Sequence, residues 1–351
     1  MRIARTVQAA LMLASTASFP MGAVAQQVSP HYSVESRVSG AGKSWDYAVI
    51  DEKSGRFYVA QQGVTALDLR TGKLTTGLVP GKMTHGLAVL GDGTVAVDDA
   101  ASKTVAIFNG ADGKVISTIP TAEFNPVDGV HALDAMVLEP ISGLVVAING
   151  ESGLLLLIDV KQAKVVGTLS IGGHPEFAAT DGQGRVYINV DRGKTAEIVA
   201  VDLVSRKIVQ HYPLTDCEGP TGIAYDQRDD LLISVCGDNG VTKFIRGNKG
   251  REAAALKVGK GADAVMFDQQ RHLAFIPNAE NGTLSVIAVR TAHDIAVVQT
   301  IATQPGTRLG AVDSSSGRVY LPAAKFGPPV PPSPYPSVLA GSFEILVIAP
   351  H

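Results

Sequence analysis

Seven copies of one short pattern, each built from strands with no helical period, predict an all-β chain. The architecture that fits is a seven-bladed β-propeller with four-stranded blades. Three observations carry this expectation: the unit, its repetition and the mismatch between the two ends of the chain. The unit is clearest from Gly259 to Val289, where Ala262–Phe267, Leu273–Pro277 and Thr283–Val289 are short apolar runs parted by Gly, Asn and Asp. Short apolar runs bounded by such turn residues make hairpins. One unit cannot bury both faces of its sheet, so it needs copies of itself.

The copies share a register. Anchored on Asp263, the same pattern recurs at Asp46, His85, Asp134, Glu176, Thr221 and Arg308, at intervals of roughly 40 to 50 residues. Each anchor precedes a small or apolar run. In five copies the fifth following residue is acidic: Asp51, Glu139, Asp226, Asp268 and Asp313. The ends supply the third observation. Tyr32–Ser39 reads as an outer strand with no repeat ahead of it, and the last repeat, from Arg308, lacks its fourth strand. Pairing the two closes the ring and removes an open sheet edge, which would otherwise invite aggregation. The expected blades are 45–81, 82–121, 122–173, 174–217, 218–260, 261–304, and 305–351 joined by 31–44. Two insertions break the period, Ala122–Val130 and the Pro-rich Phe326–Ser342. Both fall on the anchor-bearing face, where the stiff φ angles of proline suit a semi-rigid rim.

Residues 1–25 read as a signal peptide. Arg2 and Arg5 precede an uncharged apolar stretch, Val7–Phe19, and Ala23-Val24-Ala25 gives a small-x-small cleavage site after Ala25. The alternative is an uncleaved anchor, for which the stretch is short. The mature domain, 26–351, is expected to be periplasmic or secreted, without a membrane span and monomeric. A formal net charge of −3 offers no basic stripe for nucleic acid. Export permits disulfides. The turn of the fifth repeat folds Cys236 back towards the start of its inner strand, just after Cys217, so a bond between them is expected; the other reading is two buried thiols.

The runs GRVYINV, NAENGTLSVIAV and SGRFYVA, with GGHPEFAATDGQGRVYINV, CEGPTGIAYD and GADAVMFD, resemble the YVTN-repeat propellers of exported proteins and their YncE-like subgroup. The resemblance covers nearly all of the mature chain. It implies a seven-bladed propeller, a periplasmic or surface location and a mostly unassigned activity. The family's Thr-Asn pair survives only loosely, around Asn189 and Asn278.

Inner strands line a propeller's channel, so the seven anchors are expected at one channel mouth: Asp46, His85, Asp134, Glu176, Thr221, Asp263 and Arg308. Trp45, Phe177, His131 and His174 lie close in sequence. Clustered carboxylates raise one another's pKa or bind a cation. The four at Asp46, Asp134, Glu176 and Asp263 suit Ca²⁺ or Mg²⁺, and adding His85, His131 or His174 suits Zn²⁺ or Mn²⁺. No cofactor is required. Three readings are open here. One is an exported propeller that binds a small ligand, peptide or protein at this mouth without catalysis. Another is a metal-dependent hydrolase or lyase, similar in plan to lactonase-like propellers. The third is a structural module of the envelope. Gly91-Asp92-Gly93 and Gly182-Gln183-Gly184 are hairpin turns with no helix after them, so no phosphate loop is present. His211, His272 and His293 are expected at the surface.

Overall fold

The computed structural model describes residues 30–125, 129, 132–329 and 336–351. The expected signal peptide and His131 lie outside them. Seven antiparallel four-stranded sheets form the blades, and their inner strands neighbour one another in chain order around an axis. The first blade runs Ala48–Asp51, Arg56–Gln61, Gly63–Asp68 and Leu74–Pro80. The last is completed from the other end of the chain, as Tyr32–Ser39 pairs antiparallel with Glu344–Pro350.

The second strands explain why sheets stack radially. Leu144–Asn149, Leu231–Cys236 and Leu273–Asn278 are buried at every residue, because each is covered by a blade on both faces. Their side chains alternate between the two neighbouring blades. Seven apolar clusters result, one at each interface between successive blades. The outer strands, such as Val115–Pro120 and Glu252–Lys257, carry the exposed residues.

The recurrent acidic residue caps the turn after the inner strand in every blade but the second, which has Leu90 there. Asp51 accepts the backbone N–H groups of Lys53 and Ser54, and Asp268 those of Gln270 and Arg271. Glu139 does the same for Ile141 and Ser142. Asp226 and Asp313 each accept from the residue two positions on. Asp181, in the fourth blade, also belongs to this set, accepting from Gln183 and Arg185. A carboxylate that bonds backbone two or three residues ahead fixes a tight turn, so these acids are structural.

The seam is stapled by side chains. Arg318 forms a two-pronged pair with Glu35 at 2.9 Å, across the intervening strand. Gln299, on the outer strand of the sixth blade, brackets Tyr32: its Nε2 donates to the Tyr32 carbonyl at 2.7 Å and its Oε1 accepts the Tyr32 N–H at 2.9 Å. His31 is tied by its carbonyl to the N–H of His351. Cys217 and Cys236 are bonded, with Cα atoms 5.1 Å apart. Within the Pro-rich insertion, Phe326–Pro329 pairs with Pro336–Val338 as a small hairpin, and 330–335 lie outside the described residues.

Candidate functional site

The anchors sit on backbone irregularities that aim them. In the first blade the N–H of Asp46 bonds the carbonyl of Ala60, whose own N–H bonds the carbonyl of Tyr47. In the third, Asp134 and Ala135 share Ile148 in the same way. In the fourth and fifth blades the register shifts between Pro175 and Ala178 and between Pro220 and Ile223. Two residues opposing one is a β-bulge, a device that bends a strand and redirects its side chains. The anchor position is therefore bulged in at least four blades.

Tyr47, which follows the first anchor, marks the centre of the site. Its phenol pKa is pushed well above the ordinary value, first by burial and then by Asp134, Asp46, Glu176 and Asp263. Four carboxylates from four blades thus act on one hydroxyl. Arg308, from the last blade, meets Asp263 through Nε at 3.1 Å. Burial works against the Arg308 charge, yet Asp263, Asp46, Tyr47 and Asp134 together hold its pKa above normal. Asp263 is raised in turn, because burial outweighs the guanidinium beside it. Asp46, Asp134, Glu176, Asp263 and Arg308 therefore share one end of the axial opening.

Tyr47 also reaches across the axis. Its ring stacks on Phe177 with centroids 4.9 Å apart and planes inclined by 25°. The two come from the first and fourth blades, as distant as any two in a ring of seven. The pair spans the channel beneath the charged rim. Glycine holds the same register position in the second and fifth blades for a steric reason. A Cβ on Gly86 would lie 2.1 Å from the Asp134 carbonyl, and one on Gly222 would lie 2.6 Å from Ala264. Adjacent inner strands approach closely there.

The other expected residues hold the rim together. His85 Nδ1 donates to the Leu133 carbonyl at 3.1 Å, linking the second and third blades, and its backbone N–H donates to Asp98 at 2.7 Å. The Thr221 hydroxyl donates to the Ala262 carbonyl at 2.6 Å and joins the fifth blade to the sixth. His174 is exposed. Trp45 is buried away from the opening, between Phe326 of the hairpin and Phe343. His272 is half-buried, 3.9 Å from Asp226, on the opposite face. Among the described residues, no three His, Cys, Asp or Glu side chains converge to hold a metal ion.

Asp98 and Asn189 belong to this region but do not stand out in the sequence. Both are fully buried at the upper ends of second strands. Asn189 donates to the carbonyls of Thr221 and Gly222 and accepts from Ser234. Asp98 Oδ2 has no hydrogen-bond partner among the described residues. Burial, then Asp134 and Asp46, push its carboxyl well above the ordinary 3.8, against the bonds from His85 and Gly86. A native state that binds this proton more tightly than the unfolded chain loses stability as pH rises from about 4 through the raised value. Asp98→Asn keeps the acceptor for His85. It is expected to stabilise the ring at neutral pH and to flatten that decline, as measured by urea midpoints between pH 4 and 8. An unchanged slope would contradict the assignment.

Comparison with known proteins identifies the class as a seven-bladed β-propeller. No protein-family model matches the chain, and no curated protein matches it. Solved structures do. A chain of the Mitotic Checkpoint Complex matches with a TM-score of 0.70 at 12% identity, covering 98% of each chain. The RRP9 WD40 repeats match at 0.69 and 12%, covering 92% of this chain and 99% of theirs. Hydrazine synthase of Kuenenia stuttgartiensis matches at 0.68 and 14%, covering 81% and 94%. At these identities the likeness is one of fold.

Proposed function

We propose that the chain is an exported binding propeller of the YVTN-repeat, YncE-like kind. Its charged channel mouth takes a cationic small ligand or a basic segment of a partner protein. The observation that supports this most is the convergence of Asp46, Asp134, Glu176 and Asp263 on Tyr47, with Arg308 among them. Carboxylates gathered at a concave opening concentrate cations and fix their orientation. The disulfide agrees with an oxidising compartment. No helix among the described residues is long and apolar enough to cross a membrane. A propeller of the same shape in the Mitotic Checkpoint Complex forms part of an assembly, which suits a binding role.

The test is calorimetric titration with a hexalysine peptide and with spermidine. Asp134→Ala combined with Glu176→Ala is expected to weaken the bound probe roughly tenfold or more, with the melting temperature retained. Raising the salt from 50 to 300 mM should weaken the parent protein in the same direction. Equal affinity in parent and double variant would overturn this reading.

A further inference from the structure

The turn that joins the third and fourth strands of the fifth blade carries three cations, Arg246, Lys249 and Arg251. It is fixed from several sides. The N–H of Arg246 bonds the Arg251 carbonyl at 2.9 Å, and the N–H of Gly250 bonds the Arg246 carbonyl at 2.8 Å. Tyr212, from the fourth blade, donates its hydroxyl to the Gly247 carbonyl at 2.5 Å. A Cβ on Gly250, whose φ is +62°, would lie 2.4 Å from the Tyr212 ring. Asp230, in the other turn of this face, accepts the N–H of Asn248 at 2.9 Å. With Asp230 and with His293 of the sixth blade, the turn walls a concavity of about 410 Å³ on the face opposite the charged rim. Among the described residues, Ala253 is the single apolar one in that wall.

The carboxylates of this wall are all engaged. Arg228 clamps Asp229 with two bonds, at 2.9 and 2.6 Å. Glu252 pairs with Lys243 at 3.0 Å. Asp230 accepts the Tyr225 hydroxyl at 2.8 Å besides the Asn248 N–H. The cations are not. Lys249 and Arg251 are exposed and make no side-chain hydrogen bond or ion pair among the described residues. Arg246 donates through Nη2 to Nε2 of His293 at 3.1 Å. A guanidinium can only donate, so Nε2 accepts and the imidazole N–H lies on Nδ1, as a further donor. The wall and its ion-pair partners together hold five cations against three carboxylates. Beside His293, Arg290 and Asp294 neutralise each other at 3.1 Å. The concavity is therefore net positive after every neighbouring pair is counted.

We propose that this concavity binds a compact soluble molecule that carries two or more phosphate groups close together, with Arg246, Lys249 and Arg251 on the phosphate oxygens. The excess of positive charge is local, since the whole chain has a formal net charge of −3. The wall offers donors and almost no apolar surface, so an aliphatic acid gains little there, whereas charge-assisted bonds to phosphate are strong. The free cations belong to one turn, without the extended stripe that a nucleic acid needs. A turn already fixed by Tyr212 and Asp230 loses little further entropy when a ligand orders it. The site and the rim lie on opposite faces, so each can fail alone.

The experiment is calorimetric titration of the protein with sulfate, pyrophosphate, tripolyphosphate and adipate, at about 50 mM salt, where screening is weak. Affinity is expected to rise in the order sulfate, pyrophosphate, tripolyphosphate, and adipate should not bind. Lys249→Ala combined with Arg251→Ala should weaken tripolyphosphate roughly tenfold or more, because each removes bonds to a charged group, with the melting temperature retained. Lys249→Arg combined with Arg251→Lys keeps both charges and should keep the binding. Lys161→Ala combined with Lys164→Ala removes two exposed cations of the third blade and should leave the affinity unchanged. An equal loss in that control would show general attraction and overturn the proposal. So would tripolyphosphate bound no more tightly than sulfate or adipate, or cosedimentation with phosphatidate vesicles by a protein that binds none of the soluble phosphates.

Discussion

Replacing Tyr32 by alanine is expected to lower the stability of the ring by about 3–5 kcal/mol, the usual cost of truncating a buried aromatic to a methyl group. Tyr32 is 1% exposed, packs edge-on against Phe275 with centroids 5.0 Å apart, and belongs to the cluster between the sixth and seventh blades. It sits on the strand that closes the circle, whose pairing with Glu344–Pro350 has no covalent connection to back it up. The control is Tyr32→Phe. The hydroxyl is buried without a hydrogen-bond partner among the described residues, and burial, with Asp268 adding to it, pushes its pKa up to about 12. Removing an unsatisfied buried hydroxyl is neutral or stabilising. Urea unfolding should therefore place the phenylalanine variant at or above the parent and the alanine variant far below it. A large loss in the phenylalanine variant would mean that the hydroxyl, and not the packing, holds the seam.

Breaking the disulfide is expected to cost roughly 3 kcal/mol, as the loop-closure estimate gives for a loop of this order. The bonded cysteines are 19 residues apart. The bond ties the short segment ahead of Thr221 to the end of the second strand of its hairpin, beside the bonds of Gly237 N–H to the Gly219 carbonyl at 2.7 Å and of Asn239 to the Asp216 carbonyl at 3.0 Å. Unfolding with and without dithiothreitol, and of Cys217→Ser with Cys236→Ser, measures the effect. Coincident curves would show that the native loop is held without it. Since Thr221 ties the fifth blade to the sixth, reduction should also raise hydrogen exchange at Ala262 and Asp263.

The repeat made the fold legible because it constrains every blade at once. Seven inner strands in one register, with turn acids such as Asp268 and Asp313 and a strand missing from the last repeat, admit little besides a closed ring. The site was legible only in part. Asp46, Asp134, Glu176, Asp263 and Arg308 share a register position, so ring geometry alone brings them together. What register cannot show is which side chain spans the axis. The available signal was the residue after each anchor, aromatic in only two repeats, Tyr47 and Phe177, which lie three blades apart. Trp45 misleads for the opposite reason. Adjacent in sequence to an anchor, it is drawn beneath the hairpin by Phe326 and Phe343. Asp98 gives no warning because its register lies on a strand that is otherwise an apolar filler between blades, where only burial reveals its strain on the charge.

The sheet formed by Tyr32–Ser39 and Glu344–Pro350 joins segments about 300 residues apart. Six blades can form from contiguous stretches, but the seventh waits for these two distant strands to meet. Until then the chain carries an unpaired strand at one margin and an incomplete sheet at the other, the kind of margin that chaperones shield and neighbours capture. Loop closure over such a span is slow relative to hairpin formation. The rate-limiting event in maturation should therefore be this last pairing, and a circular permutant opened in a distant turn should fold faster while ending in the same shape.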